Sequence, residues 1–312
     1  MQTTWTRGAK SPYQYRDITH FPDWGALIVA DAFFNNLAAG TLLVGGIAWV
    51  FGDVLMAAMM PFMMTAALAL LLVDLGLLVA DLGAPLRFTH SLRVMRLTSP
   101  LSVGVWALSC FGIFLGIACV CAWILAILGS DPSIGAYALS ASLRLCAVMA
   151  CMAAVFVICY KGVVFSCSSQ PGVCQARWLT PFMVADSLLM GLAVFAILAI
   201  CFAPSEAVLI RLILPTIALL IARSICFGLL WQDLKKRARE INSSARNRWI
   251  GIIVYGIGGI LPLILLFLGA AGMAVAALLF LLAGYCARRW IITLTRPFPP
   301  YSRELHGFTK RG

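Results

Sequence analysis

Asp31, Asn35, Asn36, Asp74, Asp186 and Arg223 each lie inside a long run of apolar residues. An aspartate at the centre of a membrane helix costs about 2.5–3.5 kcal/mol on insertion scales, so such side chains are functional candidates by default. Asp31 and Asn35 are four residues apart and share one helical face, with Asn36 beside them at an angle. An amide donates a hydrogen bond to a carbonyl oxygen, and a carboxyl group exchanges a proton with a hydroxyl. The trio can therefore hydrogen-bond, or exchange a proton with, a polar ligand at that depth, or else make a hydrogen bond between two helices. Asp74 and Asp81, seven apart, fall on roughly one face and are placed to relay protons. Asp81 has a second reading, as a cap on the following turn paired with Arg87. A buried Arg223 needs a carboxylate, and Asp186 on the neighbouring span is the expected partner, with a structural role first and proton transfer second.

The stretch 81–106 reads DLGAPLRFTHSLRVMRLTSPLSVGVW and interrupts two apolar segments. Asp81, Gly83, Pro85, Arg87 and Phe88, followed by Ser99, Pro100, Ser102, Gly104 and Trp106, resemble the DLGxPxRF…SPxSxGxW signature of the NrfD/PsrC family of polysulfide-reductase-type membrane subunits. Looser matches are Leu37–Gly40 on the first span, Tyr160 with Gly162, Trp178 with Pro181, Gly259 with Pro262, and Gly284 with Arg288.

The resemblance implies two four-helix bundles and a quinone-reactive anchor subunit, with menaquinone or ubiquinone as bound substrate. It places quinone-contacting polar residues on the part of the first helix that holds Asp31, Asn35 and Asn36. It also implies a ferredoxin-like iron–sulfur subunit as partner, with a molybdopterin or other catalytic subunit behind it. The chain itself has no pattern for a cluster or a molybdenum centre, so other subunits must supply them. Its three histidines, His20, His90 and His306, stand outside the spans or at their edges. A b-type haem needs axial ligands at membrane depth, so neither haem nor metal is expected.

The elements that position these residues follow from composition. Of 312 residues, 62% are apolar and 11% charged, against roughly a quarter charged in soluble domains. Apolar runs of about 20 residues, each able to cross a hydrocarbon core, recur along the chain. The reading is an all-α integral membrane protein with eight transmembrane helices, at 24–51, 54–80, 101–128, 135–165, 180–202, 207–231, 249–268 and 271–294. Residues 1–23 form an N-terminal arm, 24–166 a first four-helix bundle with its signature loop at 81–100, 167–295 a second bundle, and 296–312 a tail. The polar N-terminal stretch lacks the early apolar core of a signal peptide, so the first helix is expected to direct insertion. Pro61, Pro215 and Pro262 fall inside spans, where proline kinks helices.

The net charge of +11 is explained by topology. Arginine and lysine collect in the N-terminal arm, in the second, fourth and sixth connections, and in the tail; Lys161 counts with the fourth connection and Arg288 with the tail. Arg144, Arg211 and Arg223 are then the basic residues within spans. The positive-inside rule puts both termini in the cytoplasm, in a bacterial or archaeal inner membrane. The basic face suits anionic lipid headgroups rather than nucleic acid.

A faint parallel repeat aligns Asp31 and Leu37–Ala38 with Asp186 and Leu192–Ala193. Gly112 and Gly116 suggest a close helix contact. Most of the eleven cysteines read as small apolar residues, with Cys167 and Cys174 as a possible redox pair. A transporter or ion-conducting protein built from a duplicated four-helix unit, and a purely structural anchor, are the competing readings.

Overall fold

A computed structural model describes residues 25–52, 54–81, 92–128, 134–167, 173, 176–202, 205–237 and 249–294. Every regular element among them is helical. In chain order they are α1 (Ala26–Phe51), α2 (Val54–Ala58), α3 (Met60–Asp81), α4 (Pro100–Leu128), α5 (Ile134–Cys167), α6 (Leu179–Phe202), α7 (Glu206–Arg237), α8 (Trp249–Leu265) and α9 (Gly269–Thr293). Seven helices, all but α2 and α8, are long and apolar enough to cross a membrane. The eighth expected span is α8, a 17-residue apolar helix that is shorter than the roughly 20 residues a bilayer core demands.

The prolines act at helix joints. Pro61 does not kink a continuous span: the helix breaks at Met59, and Pro61 sits in the first turn of α3, where a missing N–H costs nothing. Pro215 stays inside α7, and the Thr216 hydroxyl donates to the Leu212 carbonyl at 2.6 Å. In α8, residues Ile252–Ile260 are π-helical, and the chain returns to α geometry at Leu261 and Pro262. π segments of this kind concentrate at functional sites.

α1 lies at the centre, packed on α3, α5, α6 and α9. One apolar core joins α1, α3, α4 and α5, around Leu42, Leu71, Phe111 and Ile158. Two others join α1 to the later helices, around Phe195 and Phe280 and around Phe182, Phe227 and Trp290. The outward sides of the helices carry exposed Leu, Ile, Val and Phe, as a lipid-facing surface requires.

The tightest helix crossing is between α1 and α6. A Cβ on Gly40 would stand 2.1 Å from the Ser187 carbonyl oxygen, and one on Gly191 would stand 2.3 Å from the Gly40 oxygen. Backbones that close exclude any side chain. The pair Gly112 and Gly116 does not serve this purpose. A Cβ on Gly112 would meet only Leu71, at an ordinary 3.4 Å, and one on Gly116 nothing.

Candidate functional site

The described residues bury six ionisable side chains of opposite sign: Asp31, Asp74, Lys161, Asp186, Arg223 and Arg288. They form two groups. In the first, Lys161 on α5 is paired with Asp31 on α1. One turn along, the Asn35 amide donates to Asp74 of α3 at 2.8 Å. Asp74 also lies within side-chain hydrogen-bonding range of Asp31. In the second, Asp186 on α6 receives both arginines. Arg288 Nη1 donates to its Oδ2 at 2.5 Å, and Arg223 Nε stands 2.7 Å from its Oδ1 without pointing an N–H at it. Arg223 instead donates through Nη1 to the Gly258 carbonyl in the π segment, at 2.7 Å.

The two groups share a plan. Each has an acid on α1 or α6, a partner on α3 or α7 (Asp74 or Arg223), and a cation on α5 or α9 (Lys161 or Arg288). Apart from Arg223, all lie five to seven residues, about 8–11 Å, from the helix end on the face where α1 begins. The first group holds two carboxyl groups to one ammonium, and the second two guanidinium groups to one carboxylate. Unpaired charge at this depth is costly, and each group sets at least one acid directly against a base.

Several polar atoms stay without a hydrogen-bond partner. Both side-chain atoms of Asn36 are among them, with the residue fully buried, as are Asp31 Oδ1, Asn35 Oδ1 and Asp74 Oδ1. Native buried polar atoms are rarely left so, and each exception needs an explanation such as a water or a ligand. The Asp31 and Asp74 carboxyls are close enough to share a proton, which leaves the Asn35 oxygen and the complete Asn36 amide as the exceptions beside them on α1.

The signature residues build the start of α4 and brace the first group. Ser99 caps the helix, accepting from the Ser102 N–H at 3.4 Å, and Pro100 follows in the first helical position. Ser102 Oγ in turn accepts from the Arg96 N–H at 3.0 Å and donates to the Val94 carbonyl at 3.4 Å. Gly104 has no room for a Cβ, which would fall 2.2 Å from the Tyr160 ring. Tyr160 is thereby seated on α4, and its neighbour Lys161 is the residue that pairs with Asp31. The Trp106 indole N–H is buried without a partner. Gly83, Pro85, Arg87 and Phe88 lie outside the described residues, as do the three histidines and Cys174. Asp81 is the exposed last residue of α3, so it does not share the burial of Asp74.

Two placements read from the sequence need correction. Lys161 belongs to α5 and Arg288 to α9; neither is a connection or tail charge, and both are buried. Desolvating them is tolerated because each has a carboxylate at hand. The spans 135–165 and 271–294 already enclosed both positions, which was the signal available. The expected Asp186–Arg223 pair is present but shares its carboxylate with Arg288. Arg144 and Arg211 are exposed on their helices.

A multi-pass helical membrane protein with ionisable groups buried near one end of its central helices is the class that this fold and site define. A family profile described as polysulphide reductase, NrfD, matches residues 16–295. The chain belongs to the NrfD family. No curated protein matches it significantly.

Proposed function

We propose that the chain is the quinone-reactive membrane subunit of a multi-subunit oxidoreductase. The observation that carries this reading is the group of Asp31, Asn35, Asn36 and Asp74, buried near one membrane face with acceptor oxygens and a whole amide still unpartnered. A quinone brings the complementary chemistry: two carbonyls that accept hydrogen bonds, or two hydroxyls that release protons. The Asn36 amide donates to a carbonyl. A carboxylate of the Asp31–Asp74 pair accepts a hydroxyl proton, and the second carboxyl next to it passes that proton on. Lys161 holds the negative charge in place between turnovers. Menaquinone and ubiquinone both offer these groups.

The electrons then pass to or from an iron–sulfur subunit of ferredoxin type, with a molybdopterin or other catalytic subunit beyond it. The eight spans form two four-helix bundles, α1 with α3–α5 and α6–α9, with α8 as the short eighth span. The positive-inside rule places the basic face and both termini in the cytoplasm of a bacterial or archaeal inner membrane.

Purification in mild detergent followed by lipid extraction tests the reading. The expected result is a stoichiometric quinone and a co-purifying iron–sulfur subunit. A chain that comes out alone, without quinone, and supports substrate flux in vesicles would favour transport instead.

A further inference from the structure

Arg288 is 102 residues from Asp186 and 256 from Ala32, and it touches both. Its side chain is fully buried. Nη1 donates to Asp186 of α6 and, at 3.0 Å, to the Gly284 carbonyl of its own helix. Nη2 donates to Ser187 of α6 at 3.2 Å. Nε donates to the Ala32 carbonyl of α1 at 3.2 Å, and the guanidinium stands 5.9 Å from the centre of the Phe33 ring. One side chain therefore holds three helices, which takes the fixed fork of donors that arginine has and lysine lacks. Gly284 makes room for it: a Cβ there would fall 2.4 Å from Met190 Sδ and 3.2 Å from Asp186 Oδ2.

What Arg288 grips on α1 is the residue pair next to Asp31. Residues 32 and 33 are held from the α9 side, and residues 31 and 35 from the other side by Lys161 and Asp74. Two turns on, Gly40 is pressed against α6. Rotation of α1 about its axis would swing Asp31 out of line with Asp74, and the Arg288 contacts oppose that rotation.

We propose that Arg288, in the second half of the chain, is a positioning residue for the quinone-reactive group in the first half, acting through the α1 turn at Ala32–Phe33. This rests on the quinone reading above. Arg288→Lys keeps a charge for Asp186 but cannot also reach Ala32 and Ser187. Ser187→Ala removes one guanidinium contact and leaves the α1 contact. Phe33→Ala loosens the α1 contact with every buried charge retained.

The experiment measures kcat and KM with a quinol analogue in purified complexes of normal subunit content. Arg288→Lys is expected to lower kcat about two- to twelvefold, the worth of one net hydrogen bond, with Phe33→Ala changing it in the same sense and Ser187→Ala near wild type. Wild-type kcat and KM in Arg288→Lys, or in Phe33→Ala should the lysine variant fail to assemble, would overturn the proposal. A double-mutant cycle on thermal unfolding, pairing the same substitution with Lys161→Met, reads positioning without any activity. Non-additive effects support coupling across α1, and additive effects overturn it. If the wild type itself does not react with quinols, the function reading fails, and the cycle alone decides whether Arg288 positions the Asp31–Lys161 pair.

Discussion

Lys161 reaches across from α5 to pair with Asp31 on α1, 130 residues away, and both side chains are more than nine-tenths buried. The pair joins α5 to α1, the central helix of the molecule. It also fixes what substitution at Asp31 does. Removing the carboxylate takes away the acid in direct contact with the Lys161 ammonium and leaves it only the nearby Asp74, while removing both charges breaks no ion pair from one side.

Asp31→Ala alone is therefore expected to destabilise the protein by about 3–5 kcal/mol, the usual cost of breaking a buried pair from one side. Asp31→Ala combined with Lys161→Met should recover most of that stability and none of the quinol chemistry. Thermal unfolding in detergent, read beside turnover, checks both halves of the statement.

The α1–α6 crossing gives a second expectation. Gly40→Ala and Gly191→Ala place a methyl group against backbone and should each cost about 1–3 kcal/mol, as overpacking does. Gly116→Ala meets open space and should stay within about 0.5 kcal/mol of wild type. Equal effects at Gly40 and Gly116 would show that the crossing is not a tight contact.

Ser99 is predicted to matter as a helix cap. Ser99→Ala should cost about 0.5–2 kcal/mol, and Ser99→Asp should restore most of it. Hydrogen exchange over residues 100–106 is the sensitive readout, because the first turn of α4 frays when its cap is lost. Unchanged protection there in Ser99→Ala would remove the capping role.

Reporter fusions test the orientation. If the charge asymmetry directs insertion, fusions at Lys236 and at the C-terminus report cytoplasm, and a fusion at Asp131 reports the opposite side. Lys236 outside would reverse the topology.

Much of this arrangement was legible in the sequence because a bilayer imposes simple rules. Span length and hydropathy located seven membrane-crossing helices, most of them to within a few residues, although the expected span 54–80 breaks at Met59 so that α3 starts at Met60, and α7 runs on to Arg237 beyond the expected Trp231. The aspartates stood out as expensive residues in apolar runs, and Asp186 was matched to Arg223 because it lies on the neighbouring span. Cations were harder. Lys161 and Arg288 lie within two turns of helix ends in a chain full of terminal basic residues, so only their place inside the expected spans 135–165 and 271–294 marked their burial. Which partner each charge takes depends on helix packing: Asn35, read as a ligand contact or a hydrogen bond between two helices, makes the latter with Asp74. The Gly112–Gly116 spacing resembled a contact motif and is none, because α4 turns those glycines away from any close neighbour. The signature residues told of a family before they told of a mechanism. Their work in the described part is to start α4 and to seat Tyr160 beside Lys161.

The measurement closest to the central claim is quinol-analogue turnover by the Asp31→Asn variant, which keeps the shape of the side chain, in complexes with normal subunit content. A proton-accepting carboxylate in contact with the quinone predicts a fall of roughly 5- to 150-fold, corresponding to about 1–3 kcal/mol, with a smaller fall in Asn35→Ala. Wild-type turnover in Asp31→Asn would move the site off α1 and contradict the account.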